Sequence, residues 1–233
     1  MDSKALCIRL SCKPFAASAA MPSADAALVL DPADGTLWHG DRRFDPWALA
    51  WRAASGQPAG SSVTPVEAAR HLFSRPGVRR VPVGVIGPRD ASASEYRRAY
   101  EIGLALAGIG FTVICGGRAG AMEAVCKGVA EGGGQPIGIL PDHDWREAND
   151  HVAVPIATGI GEARNAIIAT ASFALVAVGG GYGTLSEMAL GLRLGRLVVA
   201  MPETFDVDGA VALGTVAEVL DRLCRRYLAL DGG

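Results

Sequence analysis

The chain has 233 residues, of which half are hydrophobic and 20% are charged, and its formal net charge is −2. This much apolar sequence can form a core without disulfides or metals. The balanced charge, with no basic block, argues against binding to the phosphate backbone of nucleic acids. Glycine is enriched, at 30 residues or about 13% against a usual ~7%, but without the Gly-X-Y period of collagen.

The cysteines, the histidines and the apolar runs of the sequence indicate the cellular compartment, the capacity for metal binding and the relation to membranes. The cysteines are scattered and include no Cys-X-X-Cys pair, so we expect reduced thiols in a cytoplasmic protein. The histidines lack metal-ligand spacing, and we predict no metal site. No apolar run reaches the ~18 residues of a membrane span, and we expect no membrane association. The five cysteines are Cys7, Cys12, Cys115, Cys126 and Cys224.

The N-terminal third differs from the rest of the chain. Residues 1–24 are predicted to be a disordered tail, and residues 25–77 a small appendage. Apolar runs at 27–30 and 36–38 flank a Pro/Asp/Gly turn, which predicts a β-hairpin. The sequence Thr64-Pro65-Val66-Glu67 has the spacing of a capping box and predicts a short helix.

From residue 78 to 233 the pattern is regular and predicts an α/β domain. Continuous apolar strands alternate with helices, which is typical of a doubly wound, Rossmann-like parallel sheet covered on both faces. Capping boxes at Ser92 and Thr215 start two of the helices. The predicted strands are 81–87, 111–115, 136–140, 152–156, 173–178 and 197–201, and the predicted helices are 92–107, 119–131, 162–172, 184–194 and one beginning at 215.

Glycines stand where three of these strands end. In an open parallel sheet, ligands bind beyond the carboxyl ends of the strands, and the helix that follows offers free N–H groups to an anion. We therefore predict a phosphate site at these turns. The segment that indicates such a site most strongly runs from Gly179 to Glu187. In this segment Thr184 either caps the helix or contacts phosphate. Glu187 either faces the site or pairs with Thr184 as its capping partner.

Further candidates come from two other loops. Arg164, in the first turn of a helix, is unfavourably placed for a cation unless an anion compensates it, and Asn165 follows it. Trp145 lies in a polar loop that is either a lid or an exposed connector. The predicted ligand-binding residues are Gly87, Gly116, Gly117, Arg118, Gly120, Arg164, Asn165, Gly180, Gly181, Tyr182, Gly183 and Thr184.

Several well-known motifs are absent from the sequence. The first strand of the domain is followed by Gly87-Pro88-Arg89-Asp90 rather than Gly-x-Gly-x-x-Gly, which weakens a nicotinamide dinucleotide interpretation. No Gly-Lys-Ser/Thr and no Gly-x-Ser-x-Gly occurs, which argues against Walker-type nucleotide binding and serine hydrolase chemistry.

The segment from Gly179 to Glu187 resembles the Pro-Gly-Gly-x-Gly-Thr-x-x-Glu signature of the Lonely Guy superfamily, often misnamed lysine decarboxylases. Within it, the chain is more similar to the molybdenum cofactor carrier proteins. The resemblance covers residues 80–205 and leaves 1–75 unexplained. The other matching segments are 85–87, 115–125, 137–141 and 158–165.

The resemblance implies two different activities. Lonely Guy enzymes cleave the N-glycosidic bond of cytokinin nucleoside monophosphates with an arginine and a glutamate, whose roles would fall on Arg164 and Glu187. Two departures favour the carrier branch, because Gly179 stands where the enzymes have proline and Asn165 where they usually have lysine. The carrier branch binds a phosphorylated pterin and need not convert it.

We therefore predict first a carrier-like protein that binds a phosphorylated heterocycle, either molybdenum cofactor as cargo or a nucleotide, and that requires no cofactor of its own. The alternative is a phosphoribohydrolase acting on a nucleoside 5′-monophosphate. A third hypothesis is a nucleotide sensor in which residues 25–75 transmit the bound state. The resemblance also implies a homo-oligomer, a dimer or tetramer, for which the stretches 166–169 and 189–190 could serve as contact or as core.

Overall fold

The computed structural model describes residues 27–56 and 59–231. It contains a five-stranded antiparallel sheet followed by a seven-stranded parallel sheet with helices on both faces. The predicted doubly wound α/β fold is therefore confirmed. The predicted tail of residues 1–24, with Cys7 and Cys12, lies outside the described residues.

The parallel sheet positions the candidate site. The spatial order of its strands is β12-β11-β10-β6-β7-β8-β9. From β6 the chain adds β7, β8 and β9 on one side, and it then returns to add β10, β11 and β12 on the other side of β6. The gap between the ends of β6 and β10 is thus the switch point at which such sheets bind ligands. The strands are β6 (Val83–Ile86), β7 (Val113–Cys115), β8 (Ile137–Leu140), β9 (Val154–Ala157), β10 (Ala174–Ala177), β11 (Leu197–Ala200) and β12 (Val211–Ala212).

Two layers of helix cover this sheet because alternate strand residues point to opposite faces. Val83 and Val85 of β6 join the core beneath α2 (Ala93–Ile109), α3 (Ala121–Glu131) and α6 (Val216–Tyr227). Ile86 belongs to a second core beneath α4 (Asn165–Ala171) and α5 (Tyr182–Arg193). None of the described helices is long and apolar enough to cross a lipid bilayer.

The capping boxes predicted from sequence are present at three helices. Thr64 caps α1 (Pro65–Phe73), Ser92 caps α2 and Thr215 caps α6, each with the glutamate three residues later bonded back to the cap. These reciprocal bonds satisfy amides that would otherwise lack a partner at the helix start. They fix where the helices flanking the parallel sheet begin.

The N-terminal region contains the predicted hairpin and helix, but it also forms strands that the sequence did not predict. The hairpin pairs β1 with β2, and three further strands extend the sheet on both sides. They were missed because they are short and carry polar residues. The five strands are β1 (Leu28–Leu30), β2 (Leu37–His39), β3 (Arg42–Asp45), β4 (Ala50–Ala53) and β5 (Ser61–Ser62).

The helix predicted over 162–172 is divided in two. A 3₁₀ turn over Gly161–Arg164 precedes α4, and the last residue of the turn, Arg164, is buried. Within the stretch 166–169, Ile168 and Ala169 belong to the core, whereas Ala166 and Ile167 are exposed. An oligomer that uses this face stays a prediction.

Candidate functional site

A cleft of about 930 Å³ opens at the switch point, beyond the carboxyl ends of the parallel strands. It gathers segments that are far apart in sequence, from the turn after β6 to the first turns of α5. All but two of the predicted site residues line it. These lining residues are Gly87, Gly116, Arg118, Arg164, Asn165, Gly180, Gly181, Tyr182, Gly183, Thr184 and Glu187.

Arg164 is buried, with 6% of its surface exposed. Its guanidinium lies directly against the turn after β7, where a Cβ on Gly116 would displace the guanidinium from its position. The nearest carboxylate oxygens are 3.8 Å away on Glu187 and 3.9 Å away on the exposed Glu162. Within residues 27–56 and 59–231, no hydrogen bond reaches its buried Nε. The guanidinium is thus buried while part of its donor capacity stays free.

Glu187 faces Arg164 from α5 and is also buried. Burial raises the pKa of Glu187 to about 8, although the nearby Arg164 charge acts to lower this pKa. The carboxyl therefore carries its proton through most of the neutral range. As a result Arg164 is not neutralised by its closest buried neighbour, and the pair keeps a net positive charge that suits an anionic ligand.

The start of α5 supplies further donors. Gly181 occupies the N-cap position without a side chain to satisfy the first-turn amides, which have no intrahelical acceptor. The interpretation of Thr184 as the cap is wrong, because the helix begins at Tyr182 and Thr184 lies within its first turn, buried and with Oγ1 unpartnered. Tyr182 is 91% exposed at the rim.

Asn165 adds an amide beside Arg164. Its Nδ2 donates to Ser186 Oγ at 3.1 Å, and Ser186 Oγ donates to the carbonyl of Gly183 at 2.7 Å. The residue is 6% exposed, and no group in the described part of the chain is a hydrogen-bond partner of its Oδ1. This hydrogen-bond chain ties α4 to the first turn of α5.

Three unpartnered polar atoms distinguish this cleft. Arg164 Nε, Asn165 Oδ1 and Thr184 Oγ1 are buried and have no hydrogen-bond partner among the residues that the structure describes, and all three residues line the cleft. Buried polar groups are nearly always paired, because an unpaired one costs about 1–3 kcal/mol. Their concentration here makes this cleft the candidate functional site.

The opposite wall is formed by the turn after β7. Arg118 lines the cleft but is bound to Asp142 and also lies 3.5 Å from Glu147, so its charge is already compensated. Two predicted residues, Gly117 and Gly120, do not line the cleft. They shape the turn behind it, where Gly120 is the N-cap of α3.

Sequence reasoning missed several lining residues, among them Arg89, Asp90 and Ser186. Arg89 and Asp90 follow Gly87 and Pro88 after the first strand of the domain, and that position was the available signal. Trp145 does not line the cleft; it is 56% exposed, with the Arg146 guanidinium 4.8 Å above its ring. Among residues 27–56 and 59–231, no cluster of three potential metal ligands occurs.

Comparison with known proteins identifies the family of the chain. A model of the SLOG cluster4 family matches residues 80–220. A protein of Archaeoglobus fulgidus is 38% identical over 144 residues, 62% of this chain and 95% of that protein. The cytokinin riboside 5′-monophosphate phosphoribohydrolase of Mycobacterium tuberculosis is 38% identical over 93 residues, which cover 39% of this chain but only 50% of the enzyme.

Solved structures give the same relationship. The molybdenum cofactor carrier protein of Chlamydomonas reinhardtii superposes with a TM-score of 0.59 at 35% identity, covering 65% of this chain and 99% of the carrier. The molybdenum cofactor binding protein of Rippkaea orientalis superposes with a TM-score of 0.59 at 30% identity, covering 62% and 96%. The sequence resemblance to the Lonely Guy and carrier proteins is therefore confirmed.

Proposed function

Because the chain belongs to the SLOG cluster4 family, matched over residues 80–220, we propose that it binds a phosphorylated heterocycle in the switch-point cleft as a carrier-like protein. The cargo is molybdenum cofactor or another phosphorylated pterin, or a nucleotide. The observation that carries this proposal is the cluster of buried, unpartnered polar atoms on Arg164, Asn165 and Thr184. Arg164 Nε and Thr184 Oγ1 are donors that a phosphate group can satisfy, together with the free amides at the start of α5.

The electrostatics of the Arg164–Glu187 pair support binding. With its pKa raised to about 8, Glu187 is largely neutral at pH 7, so only the exposed Glu162, 3.9 Å away, competes with an anion for the charge of Arg164. Arg118, in contrast, is bound to Asp142. We infer that the phosphoryl group lies at the α4–α5 end of the cleft and the heterocycle extends toward Arg118.

The second candidate is a phosphoribohydrolase, favoured by the approach of Arg164 to within 3.8 Å of Glu187 and by the likeness to the mycobacterial enzyme. In that reaction a carboxylate would stabilise a cationic sugar. A protonated Glu187 has no charge with which to do so. Gly179 also has φ of +74°, which proline cannot adopt, so the loop differs from what the enzyme signature requires. Both observations rank carrier-like binding first.

The test compares binding and turnover on the same protein. Titration calorimetry with adenosine 5′-monophosphate, and anaerobically with molybdopterin released from a molybdoenzyme, should show binding of at least one of them. Arg164→Gln should weaken that binding by about tenfold or more, since a charge-assisted hydrogen bond is lost. Arg225→Gln, on the outer face of α6, is the matched control and should bind as the wild type does.

The same samples are then analysed by chromatography for free adenine. The carrier proposal predicts none. Adenine release by the wild type, lost in Glu187→Gln while binding persists, would establish the hydrolase instead. Failure of both ligands to bind the wild type would show that the proposed function is wrong.

A further inference from the structure

The orientation of the Asn165 side chain is fixed by its neighbours. Ser186 Oγ lies 2.7 Å from the carbonyl oxygen of Gly183, which can only accept a hydrogen bond, so the single hydroxyl proton of Ser186 is committed there. The Ser186 oxygen is then an acceptor toward Asn165, at 3.1 Å. The amide nitrogen of Asn165 must point to Ser186, and its oxygen must point away.

The Asn165 oxygen is therefore a buried acceptor that needs a donor. Nothing in the described residues supplies one, and the residue is 6% exposed on the wall of the cleft. A rotation of the amide by half a turn would not help, because it would place the Asn165 oxygen against the Ser186 acceptor. The fold therefore holds the Asn165 oxygen in a position where it lacks a hydrogen-bond donor.

A phosphate dianion cannot meet this requirement, since all its oxygens are acceptors. It can satisfy the neighbouring donors Arg164 Nε and Thr184 Oγ1, but it leaves Asn165 Oδ1 unpaired. We propose that Asn165 determines specificity by accepting a hydrogen bond from an O–H or N–H group that the ligand carries beside its phosphoryl group. The inference rests on the proposed function and narrows its ligands to phosphorylated compounds with such a donor.

Matched ligand pairs test the inference. One arm compares adenosine 5′-monophosphate with its 2′-deoxy and 3′-deoxy forms. The other compares a reduced hydroxymethylpterin phosphate, which has additional ring N–H groups, with its oxidised aromatic form. In at least one arm the wild type should bind the member with the additional donor about tenfold more tightly, because a site with a buried acceptor rejects a ligand that leaves it unpaired.

Two variants separate this role from general packing. Asn165→Leu removes the acceptor at similar volume, and Ser186→Ala removes the group that orients the amide. Each should reduce the discrimination to about twofold or less, whereas a loss of packing alone would weaken both members of a pair equally and leave their affinity ratio unchanged. Ser186 is exposed, so its variant is expected to fold even if Asn165→Leu does not, and Ser62→Ala on the N-terminal sheet is the control.

Equal binding of both members in every pair by the wild type would overturn the inference while leaving the proposed function standing. Discrimination that persists in both variants would likewise overturn the inference, because a group other than Asn165 would then accept the hydrogen bond from the ligand's donor. If the wild type binds none of the probes, the inference and the proposed function are both wrong.

Discussion

The buried carboxyl of Glu187 connects the site to the stability of the protein. In the unfolded chain the group ionises near pH 4.5, whereas burial in the fold raises its pKa to about 8. Between these values the unfolded state binds fewer protons than the folded state, so stability falls as the pH rises. The stabilisation is complete below about pH 4.5 and is lost progressively up to about pH 8.

We therefore expect Glu187→Gln to be more stable than the wild type at pH 8, by about 4 kcal/mol at most, and to differ much less at pH 5. Glutamine mimics the protonated carboxyl and cannot ionise. Urea denaturation across this pH range measures the effect, with the exposed Glu101→Gln as control, which should follow the wild type. A stability difference that is the same at pH 5 and pH 8 would mean that Glu187 does not change its ionisation in this range.

At the level of helices, four segments share the pattern Ser/Thr-x-x-Glu, and the structure separates them. Those beginning at Thr64, Ser92 and Thr215 are capping boxes, as predicted. The segment Thr184-Leu185-Ser186-Glu187 is not, because the glycine turn leads the chain into α5 before Thr184 is reached. Local spacing alone does not distinguish the two cases.

The difference between local patterns and tertiary contacts explains how much of the site could be predicted from the sequence. Strand ends and glycine turns are local signals, and they located the cleft and most of its walls. The pairing of Arg164 with Glu187, the neutralisation of Arg118 by Asp142 and the exclusion of Gly117 from the cleft depend on contacts between distant segments. Single-sequence patterns carry no information about such contacts, although the family resemblance did point to Arg164 and Glu187.

The glycine turn itself depends on α2. The Glu95 carboxylate accepts from the Ser92 amide at 2.7 Å and from the Gly180 amide at 3.3 Å, so one side chain joins the start of α2 to the turn after β10. A Cβ on Gly179 would lie 2.0 Å from Glu95 Oε1, and the φ of Gly179 is +74°. Gly179 is thus required both by the backbone conformation and by this contact.

We expect Gly179→Ala to lower the free energy of unfolding by about 1–3 kcal/mol, because alanine is strained at positive φ and displaces Glu95. Gly181→Ala is the matched control, since Gly181 has an extended backbone and a Cβ there would come no closer than 4.0 Å to its nearest neighbour, Pro88 Cβ. Chemical denaturation of the two variants gives the comparison. Equal stability of the two would contradict the role assigned to the Glu95 contact.

At the scale of the whole molecule, the N-terminal sheet is integrated into the core but is remote from the cleft. Trp51 Nε1 donates to the carbonyl of Leu228 at 2.7 Å, just after α6, and its ring lies 5.0 Å from that of Phe44. The family match begins at residue 80, after this sheet. None of its described residues lines the cleft. This arrangement favours a stabilising role over the transmission of a binding signal.

Trp51→Ala tests these alternatives. The loss of a buried indole and its hydrogen bond should cost about 3–5 kcal/mol of stability, and Trp51→Phe, which keeps an aromatic ring, should cost clearly less. Ligand affinity, measured with adenosine 5′-monophosphate well below the unfolding transition of each variant, should stay within about twofold of the wild type. An affinity change of tenfold or more in Trp51→Ala, absent from Trp51→Phe, would instead support the sensor hypothesis, because the N-terminal sheet would then be coupled energetically to the cleft.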